Sequence, residues 1–195
     1  LRFYLNYSNH KHQPEIIKNI KKNIDGISSI SSERLIDELK KITSSNGFLK
    51  LLKDKESLEL IEIIFPQFKN IKNFKKQNSY AAENFLKIDF IFLIALLVID
   101  GTDNADYFLY KFKISNKDKK RLKLIDLFYR EKVTLNSFTE KNLNKLFYFN
   151  GRQAVIDIIN FKIFNSNKVE KKLIKLLDNY KEKTIPTLPI GADLL

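Results

Sequence analysis

Apolar residues along this chain recur at intervals of three and four positions, which is the spacing of one face of an α-helix. Leu35, Leu39 and Ile42 form one such stripe, and Ser31 can cap the helix that carries it. Only five glycines and four prolines interrupt the sequence, and strand-like alternation does not dominate anywhere. The pattern therefore predicts an all-α fold, a multi-helix bundle.

The most apolar stretch, residues 90–99, is expected at the centre of this bundle. It has roughly half the ~20 residues that a membrane span needs, so we predict a buried helix and no membrane partner. One continuous helix is predicted over residues 80–99. Pro66 is the strongest internal break. We predict a first helical subdomain over residues 1–66, a second over residues 67–183, and the start of a further segment at residues 184–195.

Residues suited to catalysis or metal binding are scarce. Cysteine is absent, and the two histidines, His10 and His12, have no third ligand nearby, so a solvated loop is favoured over a metal site. Asp100, Asp103 and Asp106 are spaced by three, which fits turn formation better than a calcium loop. We predict no catalytic residue, no metal site and no cofactor in this chain.

The net charge of +12, from 35 Lys and Arg against 23 Asp and Glu, favours a polyanionic partner such as nucleic acid. The alternative is a lysine-rich composition set by codon bias. The densest basic run, residues 117–123, would neutralise phosphates without reading bases, or would be an ordinary solvated helix face. The predicted RNA-binding residues are Lys111, Lys113, Lys117, Lys119, Lys120, Arg121, Lys123 and Arg152.

Aromatic residues are the other candidates for contacts with nucleic acid, because their rings can stack on bases. Phe147, Tyr148 and Phe149 lie next to one another, and Phe85, Phe90 and Phe92 recur at helical spacing. Such spacing is more typical of core packing, so we expect most of these rings to be buried.

Residues 30–42 resemble a known motif. They read Ile-Ser-Ser-Glu-Arg-Leu-Ile-Asp-Glu-Leu-Lys-Lys-Ile, which is similar to the neck motif I-S-x-E-R-I-x-x-E-L-x-K-I of bacterial class II CCA-adding enzymes and poly(A) polymerases. Arg2 and Phe3 resemble the end of the family's R-A-x-R-F helix. Further ordered similarities fall at residues 60–67, 94–97, 112–116, 148–151 and 188–194.

The resemblance implies a function and a division of labour. Enzymes of this family add CCA or adenylate to RNA 3′ ends with a β-sheet head that holds two metal ions, and helical parts hold tRNA. This chain resembles the neck, the body and the start of the tail, so Mg²⁺ and ATP or CTP would belong to a missing head. Arg2, Glu33, Arg34 and Glu38 would brace the neck under the nucleotide pocket, as a buried ion-pair network or an ordinary surface set.

We therefore expect the RNA-binding, C-terminal part of a nucleotidyltransferase acting in tRNA 3′-end processing. It would be inactive alone, and its partners would be tRNA or other RNA and a separately encoded catalytic head. No signal peptide is recognised, and a cytoplasmic location is expected. The alternative is a non-enzymatic helical protein–protein interaction module. CCA addition and poly(A) addition stay undistinguished, as do a gene fragment and a split-gene product.

Overall fold

The structure is a computed structural model that describes residues 1–7, 13–43, 47–131 and 135–184. All regular structure in these residues is helical, which confirms the predicted all-α bundle. Four short 3₁₀ segments are described, at Ile24–Ser29, Ile71–Lys76, Phe85–Lys87 and Leu135–Phe138. The α-helices are α1 Arg2–Tyr7, α2 Pro14–Lys22, α3 Ser32–Thr43, α4 Gly47–Lys53, α5 Lys55–Ile64, α6 Ser79–Asn84, α7 Phe90–Val98, α8 Asn104–Lys111, α9 Asn116–Arg130, α10 Glu140–Phe164 and α11 Lys171–Glu182.

Polar side chains set where several helices begin. The Ser115 hydroxyl accepts a hydrogen bond from the Asp118 backbone N–H at the start of α9, and Asp54 accepts one from the Ser57 N–H at the start of α5. Such caps satisfy backbone donors that have no partner inside the helix. In the sequence, Ser115-Asn116 predicts a cap before a helix from about residue 117, and the start of α9 agrees with this prediction.

The single helix predicted over residues 80–99 is wrong. The chain forms α6, a 3₁₀ turn and then α7, and Ile88 and Asp89 between them are extended. The reason is local, because the Asp89 carboxylate accepts a hydrogen bond from the Phe92 backbone N–H and so starts a new helix. From Ile91 to Val98 every residue of α7 is buried, as expected for the centre of the bundle.

Two apolar clusters form the core. The larger contains side chains from Leu5 to Ile125, together with Phe161 and Phe164, and so includes residues on both sides of Pro66. The smaller joins Phe138 and the buried faces of α10 and α11. The subdomain boundary proposed at residue 66 stays a prediction.

Helix α10 is kinked at Gly151, whose φ of 80° and ψ of 177° are non-helical. A positive φ of this size favours glycine, because a side chain there clashes with the backbone. The kink separates residues 140–150 from residues 152–164 and turns the chain beside α9. The sequence predicts two helices here, over about residues 140–149 and 152–164, and the kink lies between them.

None of the helices in the described ranges is long and apolar enough to cross a membrane. The predicted loop histidines, His10 and His12, and the predicted tail beyond residue 184 lie outside the described residues.

Candidate nucleic-acid interface

An ion-pair network with one buried carboxylate, Asp157, and one exposed carboxylate, Asp89, joins three helices at the basic run. The Arg121 guanidinium donates from Nε and Nη2 to the Asp157 carboxylate at 2.5 and 2.8 Å. It also donates from Nη1 and Nη2 to Asp89 at 2.9 and 2.6 Å. Arg121 lies on α9, Asp157 on α10 and Asp89 at the start of α7, so one guanidinium connects all three.

Burial and pairing act in opposite directions on these groups. Burial alone would lower the pKa of Arg121, but hydrogen bonds to Asp157 and Asp89 outweigh it and raise that pKa. Burial would raise the pKa of Asp89, and the bonds from Arg121 and the Phe92 N–H lower it overall. Pairing therefore favours the charged forms of Arg121 and Asp89. The network is structural rather than free for a ligand.

A groove lies between α9 and α10 next to this network, with a volume of about 570 Å³. Exposed Lys117, Lys120 and Lys123 line it, and no ion pair involving these three is found in the described part of the chain. Its other lining residues are Arg121, Leu124, Leu127, Asn150, Gln153 and Ala154. The Gln153 amide donates to Asp157 at 2.9 Å, so the groove wall is tied to this network.

A second hollow of about 340 Å³ adjoins the groove, and Asn150 lines both. Phe128, Leu146, Phe149 and Lys145 are among its lining residues. Phe149 is 71% exposed and Leu127, in the first groove, is 58% exposed. We call the two hollows together the α9–α10 groove. It combines unpaired ammonium groups with exposed apolar side chains.

The structure divides the predicted RNA-binding residues into groups. Lys117, Lys120, Arg121 and Lys123 meet at the groove, whereas half-buried Lys119 is on the same helix but outside the lining. Arg152 is exposed just after the kink and donates to the Lys183 carbonyl at 2.9 Å.

Lys111 and Lys113 lie elsewhere, on the side of α3 and the 3₁₀ segment at residues 24–29. Lys111 lines a different hollow with Ile24 and Leu35, and the Lys113 ammonium lies 3.6 Å from the Glu33 carboxylate. The basic residues around α9 therefore do not form one continuous footprint with these two.

Arg121 needs a correction. It was predicted to contact phosphate because it lies within the basic run, but four hydrogen bonds to two carboxylates occupy its guanidinium. A phosphate would have to displace these bonds, so this geometry does not support direct phosphate contact. The three lysines around it keep that role as a prediction.

The neck-motif residues are only partly brought together. Arg2 Nε lies 2.7 Å from Glu38 Oε2, and Lys41 Nζ lies 2.9 Å from the other oxygen of the same carboxylate. Hydrogen bonds from Lys41 and Arg2 lower the pKa of Glu38 from 4.5 to about 2. Glu33 pairs instead with Lys113, and Arg34 is exposed. The contacts form a half-exposed pair extended by Lys41, which is closer to the ordinary surface set than to the buried network.

Other sequence expectations have mixed outcomes. Phe147 is buried as predicted, whereas Tyr148 and Phe149 are exposed and their rings meet edge to face with centroids 5.2 Å apart. Asp100 does stabilise a turn, because its carboxylate accepts hydrogen bonds from the Thr102 backbone and hydroxyl. In the described ranges, no group of three or more His, Cys, Asp or Glu is placed to hold a metal.

Sequence reasoning missed Asp89, Asp157 and Gln153, and it favoured a core position for rings such as Phe149, which is exposed. The two aspartates lie 32 and 36 residues from Arg121, so nothing local links them to it. The exposure of the Phe149 ring could have been predicted, because this residue precedes Asn150-Gly151, a pair typical of a turn.

Comparison with known protein families gives a further finding about the N-terminal part of the chain. Residues 12–72 match the family described as "probable RNA and SrmB-binding site of polymerase A". This match supports a poly(A) polymerase-type RNA-binding region, with RNA as the partner. It covers 61 of 195 residues, includes the motif at residues 30–42 and excludes the α9–α10 groove. No curated protein and no solved structure gave a significant match.

Proposed function

We propose that this chain is the RNA-holding part of a template-independent nucleotidyltransferase of the CCA-adding and poly(A) polymerase type, acting in tRNA 3′-end processing. The match of residues 12–72 to a polymerase RNA-binding region carries this proposal. The net charge of +12 supports it, since a polyanionic partner is favoured by a surface of that sign.

The RNA is bound by its shape and its phosphates, and tRNA is the proposed partner. A catalytic head, which none of the 195 residues resembles, would hold Mg²⁺ and ATP or CTP and perform the transfer. In this scheme Arg2 and Glu38 hold α1 against α3 and so keep the neck in shape for that head. The complex would work in the cytoplasm, and this chain alone would turn over neither nucleotide.

A second candidate function is protein binding. The matched family's description names SrmB as well as RNA. On α1, Phe3 is 67% and Tyr7 74% exposed, with ring centroids 6.0 Å apart, and the Arg2 guanidinium lies over the Phe3 ring. Exposed neighbouring aromatic and arginine side chains are typical of protein interfaces.

The test is a fluorescence-anisotropy titration of the purified chain with tRNA that lacks its CCA end, at low and at near-physiological salt. Single-stranded DNA of equal charge is the control. Binding that prefers tRNA and weakens steeply with salt is the expected result. Absent or indiscriminate binding would favour the interaction module, and turnover of ATP or CTP by the chain alone would contradict the missing-head scheme.

A further inference from the structure

The α9–α10 groove differs chemically from a surface that only attracts phosphates. Exposed Lys117, Lys120 and Lys123 line the first hollow together with exposed Leu127. Exposed Phe149 lines the adjoining hollow, which shares Asn150 with the first. Neighbouring exposed apolar side chains of this size mark binding sites on soluble proteins more often than chance would place them. Any ligand must therefore supply both negative charge and an apolar surface.

Whether an RNA can contact both the lysines and the apolar side chains depends on whether its bases are paired. Duplex RNA presents phosphates and 2′-hydroxyl groups, and its base faces are stacked inside the helix. An unpaired strand exposes its base faces, which stack on aromatic and apolar side chains while basic residues track the backbone. Phe149, which is 71% exposed, offers a ring to such a base.

The dimensions and the charge agree with this occupant. Helix α9 has fifteen residues and is about 22 Å long, so the groove along it can take several consecutive nucleotides. The lining of the groove includes five cationic side chains, of which Arg121 is already ion-paired, against one acidic side chain, Glu131. This excess of positive charge is complementary to a phosphate backbone rather than to an average protein surface.

We infer that the α9–α10 groove binds an unpaired RNA segment, with its phosphates on Lys117, Lys120 and Lys123 and with bases packed on Phe149 and Leu127. This inference rests on the proposed function, because it names the form of RNA held at this surface. The Arg121–Asp157 ion pair joins α9 to α10, the two walls of the groove, so the site is formed before RNA arrives.

The test compares single-stranded RNA with a blunt RNA duplex of the same phosphate number, using the full chain and two kinds of variant. Phe149→Ala should weaken single-strand binding roughly 5- to 150-fold, the usual range for loss of one base stack. It should leave duplex binding and the salt dependence unchanged. Lys120→Ala should weaken both RNAs and reduce the slope of log K against log salt by about 0.7 for the single strand.

Two controls keep the result interpretable. Tyr110→Ala removes an aromatic ring that is 87% exposed on α8 and outside the groove, so it should change neither affinity. Phe149→Tyr keeps a ring and should retain single-strand binding. If Phe149→Ala disturbs the helical circular-dichroism signal, Leu127→Ser repeats the test from α9.

Three outcomes would overturn the inference, and they differ from one another. If Phe149→Ala weakens single-strand and duplex binding equally, or weakens neither, the inferred contact between Phe149 and a base is wrong. The proposed binding of RNA is not affected by that result. Wild-type chain that binds no RNA removes the proposed function as well. Binding of an acidic amphipathic peptide in the groove in preference to single-stranded RNA assigns the surface to a protein partner.

Discussion

Two regions of this molecule give different information about its function. Residues 12–72 match an RNA-binding family, yet they carry eleven Lys and Arg against nine Asp and Glu, a net charge of only +2. Residues 111–154 lie outside the match and carry twelve against four, a net charge of +8. The family match supports a poly(A) polymerase-type RNA-binding region at residues 12–72, whereas the larger excess of positive charge lies outside the match.

The cations of the two regions also differ in their partners. In the matched region Lys21 pairs with Glu59, Lys41 with Glu38 and Lys72 with Glu62. The lysines of the α9–α10 groove have no such pairs in the described ranges. An ammonium group that is already paired with a carboxylate gains less free energy from contact with a phosphate. A paired lysine should therefore contribute less to RNA affinity than an unpaired one.

The largest expected effect concerns the arginine ion pairs of the two regions. Arg121→Ala would leave the Asp157 carboxylate, 3% exposed, without its partner, and we expect a loss of about 3–5 kcal/mol in the free energy of unfolding. Arg2→Ala breaks a half-exposed pair and should cost under about 1 kcal/mol. Urea denaturation of both variants measures the difference.

Lys120→Ala is the matched control for Arg121→Ala, because it removes the neighbouring exposed cation from the same helix. It should change stability by no more than about 0.5 kcal/mol. An Arg121 variant as stable as the Lys120 variant would show that the network does not hold the helices together.

The next effect concerns binding and separates the two regions directly. Replacing Lys117, Lys120 and Lys123 together by Ala should reduce the salt slope for single-stranded RNA by about 2 and weaken binding by tens of fold near physiological salt. The same replacement of Lys21, Lys41 and Lys72 should have a clearly smaller effect, since each is ion-paired. Equal effects of the two triple variants would abolish the distinction between the regions.

A smaller effect is expected at the helix kink. Gly151→Ala places a side chain at φ of 80° and ψ of 177°, which should cost about 1–2 kcal/mol of stability through backbone strain alone, because nothing lies within 4 Å of the added Cβ. Gly26→Ala also meets nothing within 4 Å and is the control in the matched region. Thermal unfolding should show a loss for the first variant and none for the second.

The smallest effect is the pH dependence of the neck pair. The pKa of Glu38 falls from 4.5 to about 2 on folding, so its contribution to stability is present above pH 4.5 and is lost as the pH falls toward 2. Because this carboxylate is 42% exposed, we expect Glu38→Gln to cost under about 1 kcal/mol at neutral pH. The difference from wild type should disappear in acid; a difference that persists at pH 2 would contradict the pairing.

Local patterns predicted the helices well. Ser115 and the stripe through Leu35 and Leu39 depend on residues a few positions apart, so the sequence contains all the information that forms them. The prediction failed at Asp89, which reads as one polar residue in a long apolar stretch. Its carboxylate accepts hydrogen bonds from the Phe92 N–H and from Arg121, and the contact with Arg121 is long-range in sequence.

The candidate site was predicted in part for the same reason. The basic run on α9 is visible in the sequence, but which of its cations face a groove depends on where α10 lies. Arg121 and Lys120 are neighbours in sequence and differ completely in environment, because Asp157 arrives from α10. The exposure of Phe149 agrees with helical periodicity, because Leu143 and Phe147, four residues apart, form the buried stripe before the kink and Phe149 lies off it.

Photochemical crosslinking of bound RNA tests the central claim most directly. The full chain would be irradiated with single-stranded RNA that contains 4-thiouridine, and the crosslinked peptides identified by mass spectrometry. We predict crosslinks in α9 and in residues 145–154, with Phe149 among the modified positions. Crosslinks confined to residues 12–72 would show that the matched region alone holds the RNA, and would contradict the assignment of the α9–α10 groove.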